Sequence, residues 1–236
     1  MTPVLFAITI PCYCLVMSGT VFFFHLRPDK AHLYEAVLNP LGVRLVPIYK
    51  AGRSSTYTRL ANGLQRQHGG VVAGLLEEHP ADEKPSWVGL ASYSAGYGAT
   101  REALKEEEHG VQLVVSIDSF YAGEDRDGTA SDKDLEGLVR FAKRAREGDG
   151  VLWLGHGDVE VHGYASTGQV AEELKRLAGE PQAGYYSQAF NVAQSAGAEH
   201  ALALTKWGPG FLAEAVKELQ VQLADPYEAP CGCTMT

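Results

Sequence analysis

Ser94 is the residue whose neighbours most clearly indicate chemistry. It lies within residues 87–104, WVGLASYSAGYGATREAL, between an apolar run and a run typical of a helix. Ser92 and Gly96, two positions before and after it, are both small, as a sharp turn from a strand into a helix requires. Such a turn raises the hydroxyl above the sheet, where the amide of Ala95 can stabilise an oxyanion. We therefore predict that Ser94 is a nucleophile and that Ala95 contributes to an oxyanion hole.

This stretch has two other interpretations. A small residue, a serine and a glycine at this spacing also arise by chance in turns without any chemistry. A phosphate-binding loop would need the spacing GxGxxG, which SAGYG lacks, and acidic residues follow in KEEE. The strand-like run before Ser94 and the helix-like run after it favour the nucleophile.

A serine hydroxyl needs a general base, and histidine suits that role near neutral pH. Among the eight histidines, His200 follows the last strand-like run and precedes an apolar helical stretch. This position, between the last predicted strand and the helical stretch after it, distinguishes His200 from the other histidines. His156 ends the apolar run 151–156 and is the alternative base, or a residue lining the pocket, while His162 is a third choice. The sequence predicts His200 as the base.

Two aspartates compete for the acid that orients the base. Asp118 directly ends the apolar run 111–118, and Asp158 lies in the polar loop after the next run. A charged residue at the end of a buried strand destabilises the fold by something on the order of several kcal/mol unless it has a partner. Asp158 occupies a position where a carboxylate is easily solvated. We expect Asp118 to be the acid and keep Asp158 as the alternative.

The second donor of an oxyanion hole comes from the loop after an early strand. That loop is HLRP, residues 25–28, and it lacks the pattern His-Gly-x-Gly. The amide of Leu26 or Arg27 can donate a hydrogen bond, whereas Pro28 has no N–H. We assign Leu26 as the second donor.

Aromatic residues lie close in the chain to the predicted nucleophile and to the predicted acid. They favour an apolar or aromatic acyl group as substrate, or they pack against the sheet; these residues are Tyr93, Tyr97, Phe120 and Tyr121.

The elements that must position these residues alternate between strands and helices. Helix-like segments separate most of the apolar runs, which indicates a mostly parallel central sheet with helices on both faces. In such a sheet functional groups gather at the carboxyl ends of the strands. We predict this α/β class with a small cap or none, since only residues 119–150 are long enough to form a lid. The predicted strands are 4–10, 21–26, 43–49, 87–92, 111–118, 151–156 and 186–194; the predicted helices include 132–148, 167–179 (capped by Thr167) and 210–223.

The motifs SYSAGYG, an aspartate ending the next strand, and GAEH before the last helix resemble those of the α/β-hydrolase superfamily. The resemblance covers roughly residues 20–223 and depends on order and spacing more than on a long identical run. It implies a serine hydrolase, esterase-like or lipase-like, in which Ser94 attacks a carbonyl, His200 transfers the proton and Asp118 orients His200. The sequence HLRP departs from the pattern of the family at the oxyanion hole. An amidase or cell-wall hydrolase, or a binding protein without catalysis, is the alternative.

The 236 residues, 45% of them hydrophobic, are sufficient for one domain spanning 1–236. Within it we predict strands in 1–19 and a flexible tail at 225–236. The formal net charge of −9 argues against nucleic acid as a partner. We expect a small-molecule ester as the substrate, a monomer or homodimer, no cofactor and no metal.

The apolar start of the chain raises the question of a targeting segment or a membrane span. Pro3, Pro11 and residues 18–20 interrupt it before it reaches the roughly 20 residues that a spanning helix needs. We expect no membrane span and a cytoplasmic location, with secretion as the alternative. The cysteines form two Cys-x-Cys pairs whose pairing or metal binding the sequence leaves open: Cys12 with Cys14, and Cys231 with Cys233.

Overall fold

The computed structural model describes residues 18–125, 129–157, 163–179, 190–194 and 200–224. The strands predicted in 1–17, the tail 225–236 and the four cysteines lie outside these residues. Asp158 and His162 also lie outside them.

The described part of the chain contains a six-stranded sheet in which every neighbouring pair is parallel. The strand order is β2-β1-β3-β4-β5-β6, so the first two strands in the chain exchange places in the sheet. The strands are β1 (Gly19–Phe24), β2 (Val43–Ile48), β3 (Trp87–Tyr93), β4 (Val111–Ile117), β5 (Val151–His156) and β6 (Phe190–Gln194).

The central strands are apolar along their whole length. Every residue of β1, GTVFFF, and of β3, WVGLASY, is buried. A strand that alternated apolar and polar residues would leave one face of the sheet in water, whereas these runs require cover on both faces. The sequence therefore dictates a three-layer arrangement.

Helices provide that cover. The principal helices are α1 (Pro28–Leu38), α2 (Ser54–His68), α3 (Val71–Glu78), α4 (Tyr97–Ala103), α5 (Asp132–Arg146), α6 (Thr167–Ala178), α7 (His200–Leu202) and α8 (Gly208–Leu223). Short 3₁₀ turns span Asn39–Leu41 and Ser94–Gly96, and one π-helical segment spans Ala203–Trp207.

Alternate residues of each strand point to different helices. Phe22 and Phe24 of β1 pack in the cluster that contains apolar residues of α2 to α6. Val21 and Phe23 pack in a second cluster, which contains residues of α1 and α8. The predicted fold class, a parallel α/β sheet with helices on both faces, is therefore confirmed.

One detail of the helices differs from expectation. Helix α6 is capped by Ser166, whose hydroxyl accepts from the Gln169 amide while the Gln169 side chain accepts from the Ser166 amide. This reciprocal pair makes Ser166 the cap in place of Thr167.

The segment 119–150, which is long enough to form a lid, contains α5 at the place of the predicted helix. This helix buries Leu138 and Phe141 against the sheet.

In the described ranges, no helix combines the length and the apolar character that crossing a membrane requires.

Candidate active site

Ser94 lies at the carboxyl end of β3, at the start of the 3₁₀ turn that leads into α4. Its φ is +48°, a conformation that costs a non-glycine residue about 1 to 2 kcal/mol. Position 96 has room only for glycine, because a Cβ atom there would lie 2.4 Å from the carbonyl oxygen of Phe24. The turn therefore has the strained serine and the small neighbour that the spacing of the sequence predicted.

Strain is concentrated at the ends of three neighbouring strands. Among the described residues, the non-glycine residues with positive φ are His25, Ser94 and Asp118, at +67°, +48° and +46°. They directly follow β1, β3 and β4, which are adjacent in the sheet. Backbone strain is retained where the surrounding structure enforces it and is common at functional sites.

Asp118 and His200 form a hydrogen bond. Their Oδ2 and Nδ1 atoms are 2.7 Å apart, although the two residues are 82 positions apart in the chain. The Asp118 side chain is 3% exposed and that of His200 is 32% exposed. Because a carboxylate can only accept, the proton of a neutral imidazole lies on Nδ1 of His200 and leaves Nε2 as an acceptor. This is the tautomer that a general base needs.

Ser94 is joined to the end of β4 through its backbone. The hydroxyl of Ser119 donates to the carbonyl oxygen of Ser94 at 2.9 Å. Ser119 directly follows Asp118, whose own amide donates to the carbonyl of Gly155 at 2.7 Å. The turn after β3 and the residue after β4 are therefore held together.

Tyr93, the last residue of β3, contacts His200 in two ways. Its hydroxyl donates to the carbonyl oxygen of His200 at 3.0 Å. Its ring is stacked on the imidazole, with a centroid distance of 4.8 Å and an interplanar angle of 19°. Burial, and then the charge of Asp118, raise the pKa of Tyr93 to about 12, so the hydroxyl keeps its proton near neutral pH.

The two predicted oxyanion donors belong to neighbouring segments. Ala95 is within the turn after Ser94, and Leu26 directly follows His25 at the end of β1. The close approach of Gly96 to Phe24 brings these segments into contact. Leu26 is buried, so its assignment concerns the backbone amide alone. Both donor roles stay predictions.

His25 is a second histidine at this edge of the sheet. Its Nδ1 lies 2.9 Å from the hydroxyl of Tyr57, which donates its own proton to the carbonyl of Lys50. Burial, and then the charge of His200, lower the pKa of His25. Sequence reasoning treated His25 only as a departure from a motif. The available signal was its position directly after an apolar strand, the same signal that selected Asp118.

The alternative site residues have other surroundings. His156 ends β5, and its Nδ1 lies 3.1 Å from the carbonyl oxygen of Gly157. The carboxylate of Asp118 is hydrogen-bonded to His200, which favours His200 over His156 as the base. Asp158, the alternative acid, lies outside the described residues.

The predicted substrate-binding aromatic residues are largely buried. Phe120 is 2% exposed, Tyr97 8% and Tyr93 9%. Tyr121 donates to the carbonyl oxygen of Asp118 at 3.3 Å, and burial raises the pKa of its hydroxyl. Their contact with a substrate stays a prediction, while their packing around the site is a feature of the fold.

In the described segments, no group of three or more His, Cys, Asp or Glu side chains is arranged to hold a metal ion.

No protein-family model and no curated protein matches the chain. A lipase-esterase related protein from Clostridium acetobutylicum is 11% identical and has a TM-score of 0.47, with 86% of this chain and 96% of that chain covered. A protein from Pectobacterium atrosepticum, described as a YdeN-like hydrolase, is 15% identical and has a TM-score of 0.41, with 86% and 92% covered.

Proposed function

We propose that the chain is a serine hydrolase of the α/β-hydrolase type that cleaves carboxylic esters through an acyl-enzyme intermediate. The observation that carries the proposal is the 2.7 Å hydrogen bond between Asp118 and His200. It is formed at the edge of the sheet where Ser94 turns with positive φ. A buried carboxylate bonded to an imidazole, beside a strained serine, is the arrangement that activates a hydroxyl.

The order of the three residues supports the same proposal. Ser94 follows β3, Asp118 follows β4 and His200 follows β6. Nucleophile, acid and base succeed one another in this order in α/β-hydrolases, and the nucleophile stands on a strand-to-helix turn. If the three residues had unrelated structural roles, we would not expect both this chain order and this spatial arrangement.

Acylation begins when the Oγ atom of Ser94 attacks the carbonyl carbon of the ester. The proton of the hydroxyl passes to Nε2 of His200, and the carbonyl π electrons move to the oxygen. The amides of Ala95 and Leu26 donate to that oxyanion. When the carbonyl re-forms, the bond to the alkoxy group breaks, and the alcohol leaves with the proton from His200.

Deacylation repeats these steps with water. His200 takes a proton from the water molecule as its oxygen attacks the acyl carbon. The second oxyanion then collapses and releases the carboxylic acid, and the proton on His200 returns to the Oγ atom of Ser94. Asp118 remains ionised throughout, orients the imidazole and stabilises its positive charge.

The surroundings of the proposed base support an open site. His200 is one third exposed, so a small substrate reaches it from solvent. Helix α5, which lies within the segment that is long enough to form a lid, packs against the sheet. The described residues therefore agree with a small cap or none.

Labelling with a fluorophosphonate probe tests the nucleophile. The unmodified protein is expected to react once per chain, and Ser94→Ala is expected to abolish the reaction. Ser86→Ala is the matched control, because Ser86 is an exposed serine at the opposite end of the same strand. An unmodified protein that is folded but does not react contradicts the proposal and favours a binding protein without catalysis.

The type of bond cleaved is tested with p-nitrophenyl esters and the corresponding anilides. An esterase hydrolyses the esters at a much higher kcat/KM than the anilides. Comparable rates on both would make the protein an amidase. A series of acyl chain lengths then identifies the size of the acyl group.

A further inference from the structure

We propose that Tyr93, the residue before the nucleophile, is a positioning residue for His200, holding its backbone through the hydroxyl and its imidazole through the ring. The inference deepens the proposed function and rests on it. Tyr93 was predicted from the sequence to contact substrate; its contacts in the structure assign it to the base.

The hydroxyl restrains the segment that carries the base. His200 is the first residue of α7, and its carbonyl accepts the 3.0 Å hydrogen bond from Tyr93. Because Tyr93 ends β3, this bond attaches the start of that helix to the central sheet. Rotation of the backbone at His200 would move the imidazole away from Asp118.

The ring restrains the plane of the imidazole. At 4.8 Å and 19°, the two rings are close to parallel, which blocks rotation of the imidazole on that face. The face of a tyrosine ring carries negative potential and attracts a cation placed over it. The ring therefore interacts more strongly with the protonated imidazole than with the neutral one.

This difference between the protonated and the neutral imidazole bears on the reaction, because His200 gains a proton during it. In the proposed mechanism the imidazole starts as a neutral base, and in both transition states it is becoming a cation. An interaction that strengthens as charge develops lowers the barrier, whereas uniform binding would not. Loss of the ring is therefore expected to reduce kcat more than it changes KM.

The charged and titratable groups around His200 come from three strands. Asp118, after β4, accepts its hydrogen bond, and Tyr93, in β3, stacks on it. His25, after β1, also stacks near Tyr93, with ring centroids 6.0 Å apart and an angle of 28°. Burial, and then the charge of His200, lower the pKa of His25 and so disfavour a second cation in this stack.

Two variants separate the hydroxyl from the ring. Tyr93→Phe keeps the ring and removes the hydrogen bond, while Tyr93→Leu removes both and keeps the position apolar. The pKa of His200 is measured by NMR of its imidazole in each protein. We expect Tyr93→Leu to lower this pKa by about 0.4 units or more and Tyr93→Phe to restore most of it.

Kinetics supply the second readout. For Tyr93→Leu we expect kcat to fall about 3- to 30-fold with KM within about twofold of the original value. The acidic limb of the profile of kcat/KM against pH moves to lower pH, since the base loses its proton more easily. A simple loss of stability would reduce the amount of active enzyme without moving this limb.

Tyr34→Phe is the matched control. Tyr34 is also buried and donates to a main-chain carbonyl of the same C-terminal region, that of Leu204, at 2.8 Å. Its ring meets Phe23 edge to face rather than a histidine. We expect Tyr34→Phe to change stability while leaving the pKa of His200 and the pH profile unchanged.

The outcomes distinguish the two proposals. A pKa of His200 that is the same in Tyr93→Leu and in the unmodified protein overturns the role of the ring. Equal kcat in Tyr93→Phe and the unmodified protein overturns the role of the hydroxyl. If Ser94 does not react with a fluorophosphonate, the proposed function fails, yet the NMR measurement still decides whether Tyr93 interacts with the imidazolium.

Discussion

The hydroxyl of Ser119 donates a hydrogen bond to the carbonyl oxygen of Ser94 at 2.9 Å. This bond crosses from the residue after the proposed acid to the proposed nucleophile itself. Together with the bond from Asp118 to His200, it connects all three members of the proposed triad through β3 and β4. Changes at either strand end should therefore be measurable both in activity and in stability.

Replacement of the proposed acid should be severe. Asp118→Asn removes the negative charge and allows the amide to donate to Nδ1, which favours the wrong tautomer of His200. We expect kcat for p-nitrophenyl butyrate to fall on the order of 10³-fold or more. The comparison is Asp158→Asn, which should retain most of the activity. A crippled Asp158→Asn beside an active Asp118→Asn would move the acid to Asp158.

Glycine should relieve the strain at the nucleophile. The φ of +48° at Ser94 is favourable only for glycine, so Ser94→Gly should be more stable than Ser94→Ala by about 1 kcal/mol. Chemical unfolding of both inactive variants measures the difference. Inside α4, Ala99→Gly should instead lower the free energy of unfolding, by about 1 kcal/mol. Equal stability of the two variants at Ser94 would contradict a strained turn in solution.

Gly96→Ala should disrupt the site through space alone. The added Cβ would lie 2.4 Å from the carbonyl oxygen of Phe24, a main-chain atom that cannot rotate away. We expect an unfolding free energy lower by about 2 kcal/mol and slower labelling by fluorophosphonate. Gly63→Ala, within α2 and with open space around it, is the control and should stabilise the protein by about 0.5 to 1 kcal/mol. A fully reactive Gly96→Ala would show that the turn tolerates a shift.

His109 should make the stability depend on pH. Burial, and then the charges of Arg144 and Arg140, lower its pKa to about 4. Its Nδ1 accepts from the Val111 amide at 3.0 Å, which requires a deprotonated nitrogen. The unfolded chain therefore binds more protons than the folded protein between about pH 6.5 and 4. The contribution of His109 is complete above about pH 6.5 and is lost as the pH falls.

At acidic pH the free energy of unfolding should fall by about 3 kcal/mol at most, because the pKa of His109 is lowered to about 4 in the folded protein. Urea unfolding at pH 7.5 and pH 4.5 measures it, and His109→Gln should have a smaller difference between the two values. His32→Gln, at an exposed position, should keep the difference of the unmodified protein. If the unfolding free energy changes between the two pH values by the same amount in His109→Gln and in the unmodified protein, the acid sensitivity belongs to other groups.

The sequence was informative where a residue type conflicts with its position. Asp118 ends a strand of buried apolar residues, and this conflict led to its pairing with His200, which the structure contains. The apolar runs likewise predicted β1 to β5, because strands covered on both faces must be apolar throughout. The roles of Asp118 and His200 in catalysis are still to be tested.

Other features depend on contacts that no local pattern reveals. The spatial order β2-β1-β3 follows from how the helices cross over the sheet, and the chain order does not encode it directly. The stacking of Tyr93 on His200 joins residues 107 positions apart. Ser166 and Thr167 are both suitable caps, and only the reciprocal bonds with Gln169 decide between them.

The separation of 82 positions between Asp118 and His200 has a consequence during synthesis of the protein. The ribosome completes the strands that carry Ser94 and Asp118 well before the segment with His200 is made. Tyr93 and Tyr34, in the first half of the chain, donate hydrogen bonds to the carbonyl oxygens of His200 and Leu204. Both donors are therefore synthesised before their acceptors. A nascent chain thus contains the proposed nucleophile and the proposed acid without the proposed base. Under the proposed function, ester hydrolysis is expected to begin only when the segment that carries His200 has joined the sheet and its imidazole has met Asp118.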